Sequence, residues 1–216
     1  RRPPGCTRST SPAAGWTGKL WAVSQGIAAA EAFHPEYLLL TDADIEHAPD
    51  TLSWLVAQSV NGRFVLTSLM AKLRCVSLAE KIHVPAFIYF FQMLYPFAWV
   101  ARADSSTAAA AGGCMLVRAD ALASIGGIAS IRGALIDDCS LAARLKTVGP
   151  IWLGLTKRAR SIRPYPTFAD VGRMVSRSAY SQLRYSLLAL IATILGMAIT
   201  FVAPPMLALF ASGLPR

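Results

Sequence analysis

An α/β domain followed by a C-terminal membrane helix is the fold class this sequence predicts, and three observations predict it. Tyr37-Leu38-Leu39-Leu40-Thr41 is an apolar run of strand length that ends on Asp42-Ala43-Asp44. After Asp137-Asp138, residues Leu141, Leu145 and Val148 recur at helical spacing. Leu187 to Ala203 is a seventeen-residue stretch without a charge, at the lower end of what a spanning helix needs. At 216 residues the chain can bury one sizeable core, so one domain plus a membrane tail is the economical count. Hydrophobic residues make up 54% and the mean hydropathy is +0.45, high for a soluble domain.

Residues 1–14 are rich in Pro, Gly and Ser, lack an initiator Met, and read as coil; no basic-then-apolar segment marks a secretory start. The first structured motif is Gly15-Trp16-Thr17-Gly18-Lys19, ahead of the helix-like Leu20-Trp21-Ala22-Val23. A Gly18-Lys19 pair at a helix start suits an anionic group, since lysine brings a compact charge and the first turn brings free N–H groups. It is not a P-loop, because the first Walker glycine is missing and Leu20 follows the lysine. The alternative for Lys19 is a solvated loop residue.

Asp42 and Asp44 come next, at the C-terminal end of a strand, where open α/β sheets bind ligands. Two carboxylates so close repel each other, and a hard divalent cation with oxygen ligands is the simplest compensation. The plain alternative is a solvated turn. Further on, Ala108 to Ala111 lead into Gly112-Gly113 and the apolar Cys114-Met115-Leu116-Val117-Arg118; small residues there let the backbone approach a ligand. Ile136-Asp137-Asp138-Cys139 then opens the predicted helix. Four of the eight aspartates fall in these two clusters, although charged residues are only 15% of the chain. One carboxylate of the second pair is a candidate general base, and the alternative is a helix-start acid favoured by the macrodipole.

Two apolar segments account for the hydropathy. Val84 to Val100 holds Phe87, Tyr89, Phe90, Phe91, Tyr95, Phe97 and Trp99 and no charge, with Pro85 and Pro96 at its edges; it suits a helix at a bilayer interface, a lipid-acceptor groove, or the core of the domain. The second is the 187–203 span, after which Pro204-Pro205 either kinks the helix or turns it back. Seven basic residues against one acid between Lys157 and Arg184 place the flank before the span on the cytoplasmic side of a cell membrane. The chain's net charge is +9, its basic residues cluster beside the span, and the aromatic segment has no basic residues interleaved, so anionic lipid headgroups and donor phosphates are expected partners and nucleic acid is not. Cys6, Cys75, Cys114 and Cys139 have no regular spacing and read as reduced thiols; His34, His47 and His83 are dispersed and read as surface or satisfied residues.

The order Gly-Lys, D-x-D, Gly-Gly with a following Arg, and an acidic pair opening a helix resembles family 2 glycosyltransferases of the GT-A fold. Gly15-Trp16-Thr17-Gly18-Lys19-Leu20-Trp21, Leu39-Leu40-Thr41-Asp42-Ala43-Asp44-Ile45, Ile131 to Cys139 and Ile151 to Thr156 resemble the hopanoid-biosynthesis-associated branch. The resemblance covers roughly residues 15 to 190. It implies a GT-A-like, Rossmann-like nucleotide-diphospho-sugar transferase domain over 15–180, lacking an N-terminal nucleotide-binding unit, with a membrane anchor over 181–216. It implies an inverting transfer from a nucleotide-diphospho-sugar donor to a lipid acceptor such as a hopanoid or polyprenyl derivative. Asp42 and Asp44 would hold Mn²⁺ or Mg²⁺, and Asp138 would act as base with Asp137 orienting it or binding the acceptor. Gly18, Lys19, Gly112, Gly113 and Arg184 would contact the donor. Arg184-Tyr185 takes the place of R-W in the Q-x-x-R-W element of lipid-acceptor members, although Ser181 stands in the Gln position and Gln182 is one residue too close. Two other classes stay open at this point: a membrane-anchored remnant that binds lipid or a partner without catalysis, and a metal-dependent phosphohydrolase, which the dispersed histidines disfavour.

Overall fold

Thr17 opens the first helix, α1 (Gly18–Ala30): its hydroxyl accepts the Leu20 N–H at 3.3 Å, satisfying one of the free donors of the first turn. The computed structural model describes residues 11–183 and 186–210, with the backbone alone for 177–182. A short 3-10 turn after α1 ends on His34 in the left-handed region (φ 47°), and the chain enters β1 (Tyr37–Thr41). The turn at Asp42 is closed by the Ile45 N–H donating to the Asp42 carbonyl at 3.2 Å, and leads into β2 (Ile45–His47). There follow α2 (Thr51–Gly62), β3 (Leu66–Lys72), α3 (Leu78–Leu94), α4 (Phe97–Ala101) and β4 (Cys114–Arg118). Then come α5 (Ala119–Ser124), α6 (Asp137–Leu145) and β5 (Ile151–Ser161).

The five strands form one mixed sheet in the order β1-β4-β3-β5-β2. A Rossmann-like reading anticipates a chiefly parallel sheet, yet only β3 and β5 pair in parallel; β1–β4, β3–β4 and β2–β5 are antiparallel. The reason is that both long helical excursions, from β3 to β4 and from β4 to β5, bring the chain back opposite to the strand it left. The register matters for the site. Thr41 stands beside Cys114, so the D-x-D turn and the Gly112-Gly113 loop leave the same end of the sheet.

Alternation along the central strands builds a core on each face. Leu66 and Met70 of β3 join Met115 and Val117 of β4 under Leu20 of α1 and Leu141 and Leu145 of α6. Leu69 and Ala71 join Cys114 and Leu116 on the other face, under Leu55 of α2. The aromatic segment does two things at once. One face of α3 packs on the core through Val84, Ile88 and Phe91, with Tyr95 and Phe97 beyond it, while Ile82, Tyr89 and Met93 on the opposite face are exposed.

A buried carboxylate fixes the start of α3. Ser77 and Glu80 form a reciprocal capping box, and the Glu80 side chain is fully buried. It accepts N–H groups from Tyr165 (2.7 Å), Val76 (2.7 Å) and Ser77 (2.8 Å), and the guanidinium of Arg74 at 3.0 Å. The Tyr165 N–H, with those of Ser77 and Val76 and the Arg74 charge, outweighs burial and holds the Glu80 carboxyl at about 2 against an ordinary 4.5. A depressed carboxyl stabilises the fold above its unfolded value, and that contribution disappears as pH falls from 4.5 towards about 2. Thermal melts across this window should show the wild-type melting temperature falling and Glu80→Gln falling less. At neutral pH the variant, with Arg74 and three N–H groups imperfectly matched, should melt on the order of 10 °C lower.

The chain divides into two compact units at Val171/Gly172, and α7 (Phe168–Gln182) crosses the division. The described end of the second unit is one continuous helix, Leu187–Phe210, 24 residues long with a mean hydropathy of 2.3. It comprises α8 (Leu187–Met197), a π turn (Ala198–Val202) and α9 (Ala203–Phe210). Ser186 caps its start by accepting the Ala189 N–H at 3.2 Å. At 1.5 Å per residue it is ~36 Å long, enough to cross a ~30 Å hydrocarbon core. Pro204 and Pro205 do not turn it back. The wider π turn just before them takes up the prolines' missing N–H groups and ring bulk. Arg184 and Tyr185 lie outside the described residues.

Candidate active site

Four chain segments meet at the end of the sheet where β1 stops and β4 starts. Lys19, in the first turn of α1, places Nζ 3.0 Å from Asp42 Oδ1 and 3.0 Å from Asp137 Oδ2. Asp137 and Asp138 are the first two residues of α6. Asp138 Oδ2 accepts the Gly112 N–H at 2.9 Å, and its Oδ1 accepts the Cys139 N–H at 2.8 Å. Lys19, Asp42, Gly112 and Asp137, together with Thr41 and Leu20, line a cavity of about 20 Å³, room for about one water molecule. A larger cavity of about 520 Å³ lies at the other end of the sheet, lined by Glu36, Arg63, Arg118 and Asp120, and shares none of these residues. Arg118, the arginine after Gly112-Gly113, therefore sits away from the site, paired with Asp120.

The electrostatics of the cluster are lopsided: one ammonium faces three carboxylates. Burial works against the Lys19 charge, but Asp137 and then Asp42 outweigh it and hold its pKa above the ordinary lysine value. Lys19, its side chain 47% exposed, is thus an ion-paired bridge between the two acidic motifs. Asp138 is pushed the other way. Burial, then the neighbouring charge of Asp137, raise its carboxyl above the ordinary range, against the Cys139 and Gly112 N–H groups and Lys19. The thiol of Cys139 next to it is raised to about 12 by burial, and that of Cys114 to about 11, which leaves both unreactive at neutral pH. Cys75, Cys114 and Cys139 are free; Cys6 lies outside the described residues.

A side chain at Gly112 would crowd the cluster. A Cβ there would stand 3.2 Å from Asp138 Oδ2 and 3.3 Å from Lys19 Nζ. Gly112→Ala should displace one of these charged groups by a few tenths of an ångström and lower turnover ~10-fold or more, with little change in melting temperature; steady-state kinetics and thermal melts check it. At Gly113 the same Cβ would press on Ile45 at 3.1 Å. Gly18 starts α1 with open space around it, so its place in the site is as the residue before Lys19.

The sequence reading missed how the Gly112-Gly113 loop is held. Ser68, buried in β3, accepts the Ala111 N–H at 2.9 Å. Thr41 donates its hydroxyl to the Gly113 carbonyl at 2.8 Å and lies 2.9 Å from His47 Nε2. With the Thr41 proton on Gly113, His47 Nε2 is the donor in that pair, and its buried Nδ1 has no hydrogen-bond partner among the described residues. His47 is therefore less satisfied than the sequence reading expects, whereas His83 Nδ1 meets the Ala79 carbonyl at 3.1 Å. Two polar residues inside the apolar run of β3 were the available signal for Ser68.

Whether a divalent cation fits is decided by the donor set. Among the described residues no group of three His, Cys, Asp or Glu side chains could hold a metal. A cation shared with a diphosphate does not require such a group, since Mg²⁺ is commonly held by one or two carboxylates plus substrate phosphates and water. Asp44 fits the role: half-buried, with its carbonyl tied to the Ile162 N–H at 2.9 Å and its carboxylate without an ion pair or hydrogen bond among the described residues. Asp42 engages Lys19 through one oxygen, and its carboxylate has further lone pairs to offer.

No curated protein matches the chain. The model of glycosyl transferase family 21 matches residues 10–212, and this corrects the family 2 assignment that the motif order had implied. The match supports a GT-A-like fold for the mixed α/β domain, with a nucleotide-sugar donor and an acceptor as its partners. A chain matched over nearly its whole length by that model, with its acidic motifs gathered around Lys19, belongs to glycosyl transferase family 21.

Proposed function

We propose that this glycosyltransferase moves a sugar from a nucleotide-diphosphate donor to the hydroxyl of a membrane lipid, with inversion at the anomeric carbon. The observation that carries the reading is Asp138: a half-buried carboxylate with a raised pKa, held by the Gly112 N–H beside the Lys19–Asp42–Asp137 cluster. Asp138 takes the acceptor proton as the hydroxyl oxygen forms its bond to the anomeric carbon and the bond to the diphosphate oxygen breaks. Attack from the face opposite the leaving group inverts the configuration, and one base suffices. Asp137 keeps Lys19 in place and raises the basicity of Asp138. Lys19, with three N–H donors and two used on carboxylates, has a third for a donor phosphate. Gly112 and Gly113 let the backbone close on the donor.

Asp44 and Asp42 would hold Mn²⁺ or Mg²⁺, which as a Lewis acid neutralises charge on the departing diphosphate. The lipid acceptor, of hopanoid or polyprenyl type, is supported by the 24-residue apolar helix and by the exposed apolar side of α3. The basic flank ahead of the helix supports a cytoplasmic domain at a cell membrane. The test is transfer by the full chain in vesicles, given nucleotide-diphospho-sugars and an extracted lipid pool. A glycolipid with inverted anomeric configuration is expected. A retained configuration, or a water-soluble product alone, would overturn it.

A further inference from the structure

The exposed side of α3 is not explained by the site. Leu78, Ile82, Tyr89 and Met93 recur on one helix face at spacings of four, seven and four, all more than half exposed, and Pro85 lies among them. Over the ~22 Å from Leu78 to Met93 the face carries no acid. Leu94, the last residue of α3, and Trp99 of α4 are exposed as well, at 58% and 54%. From Ile82 to Ala101 there is no Asp, Glu, Lys or Arg, and Lys81 and Arg102 flank the stretch. The opposite face of α3 is already used on the core, so this helix is apolar on both sides, and an exposed apolar helix face of this kind marks an interaction site.

We propose that this face of α3, with Leu94 and Trp99, lies in the headgroup region of the bilayer as an interfacial membrane contact of the domain. The inference rests on the membrane-associated reading above and deepens it. Two features select lipid over a second copy of the chain. The same chain carries the Leu187–Phe210 helix, so a bilayer that takes the helix is presented to the domain at high effective concentration. The chemistry of the face also fits an interface. Tyr89 and Trp99 combine an apolar ring with a polar tip suited to headgroup depth, and Lys81 at one flank is basic, while Arg102 at the other is paired with Asp104 at 2.6 Å.

The experiment places the photo-crosslinker p-benzoylphenylalanine at Tyr89, Met93, Val60 or Leu195 of the full chain in phosphatidylcholine–phosphatidylglycerol vesicles. Val60 is exposed on α2, and Leu195 lies in the long apolar helix. Lipid adducts are expected at Tyr89, Met93 and Leu195 and not at Val60. Lipid adducts at Leu195 with none at Tyr89 or Met93 would overturn the proposal and leave the spanning helix in place. Chain-to-chain adducts at Tyr89 and Met93 would also overturn it and give the face to a second copy. Lipid adducts at Tyr89 and Met93 without one at Leu195 would uphold the α3 contact while the spanning reading falls; none at any position would end both. Unsubstituted chain supplies a second measurement: brominated phosphatidylcholine should quench its fluorescence more than that of Trp99→Phe, and equal quenching would count against the proposal.

Discussion

Asp138→Asn lowers turnover by ~10²–10⁴-fold while donor affinity holds and the melting temperature stays level or rises. The kinetic half follows from the role: a base acts in the chemical step, and the amide cannot accept the acceptor proton. The stability half follows from the sign of the pKa shift. Burial, then Asp137, raise the folded-state carboxyl, so the folded protein binds a proton more tightly than the unfolded chain. What Asp138 contributes to stability is present below the ordinary carboxylate value and is lost as pH rises through the raised one. Where the side chain is charged it is therefore a burden on the fold, and the neutral amide lifts that burden, its oxygen still meeting the Gly112 N–H while the Cys139 N–H loses its acceptor. A helix-start acid predicts the reverse: a loss of at most ~1 kcal/mol in stability with activity kept. Turnover, donor affinity and melting temperature measured on one preparation of full chain separate the two. Wild-type turnover from the folded variant would remove Asp138 from the chemistry.

Much of this site was readable because its parts are announced locally. An apolar run ending on Asp42 gives β1 and its turn, and Asp137-Asp138 ahead of Leu141 and Leu145 gives the start of α6. The helix start at Gly18 is announced by Gly18-Lys19 ahead of Leu20-Trp21-Ala22-Val23. What was not readable is non-local. That Lys19 bridges Asp42 to Asp137 depends on strand order, and β1 beside β4 rather than beside β3 cannot be inferred from spacing. Ser68 and Thr41 bind backbone atoms more than forty residues away, and nothing next to them in sequence marks it. The two faces of α3 defeated the periodicity argument for a physical reason: when both sides of a helix are apolar, the pattern cannot say which is covered. The motif order pointed to the chemistry and missed the family, since Gly-Lys, D-x-D, Gly-Gly and an acid pair describe a donor site in general terms.

Asp44→Asn should cost at least the ~10–100-fold in metal-dependent donor affinity that losing an outer-shell partner of a metal costs, because Asp44 would be a direct ligand. The same change should leave the melting temperature of the metal-free chain unaltered. Its carboxylate makes no hydrogen bond or ion pair among the described residues, so the folded protein alone loses no contact when the charge goes. Asp42→Asn behaves differently, since it also strips one partner from Lys19 and should lower that lysine's raised pKa even without metal. The pair of variants thus separates a residue that acts only with a cation from one that also organises the site. Calorimetric titration of a nucleotide-diphospho-sugar with and without Mn²⁺ reads the difference. Donor binding by Asp44→Asn that still strengthens with Mn²⁺ as in the wild type would take Asp44 out of the metal site and leave the cation to the lone pairs of Asp42 that Lys19 does not use. The assignment of Asp44 as a cation ligand stands or falls on that titration.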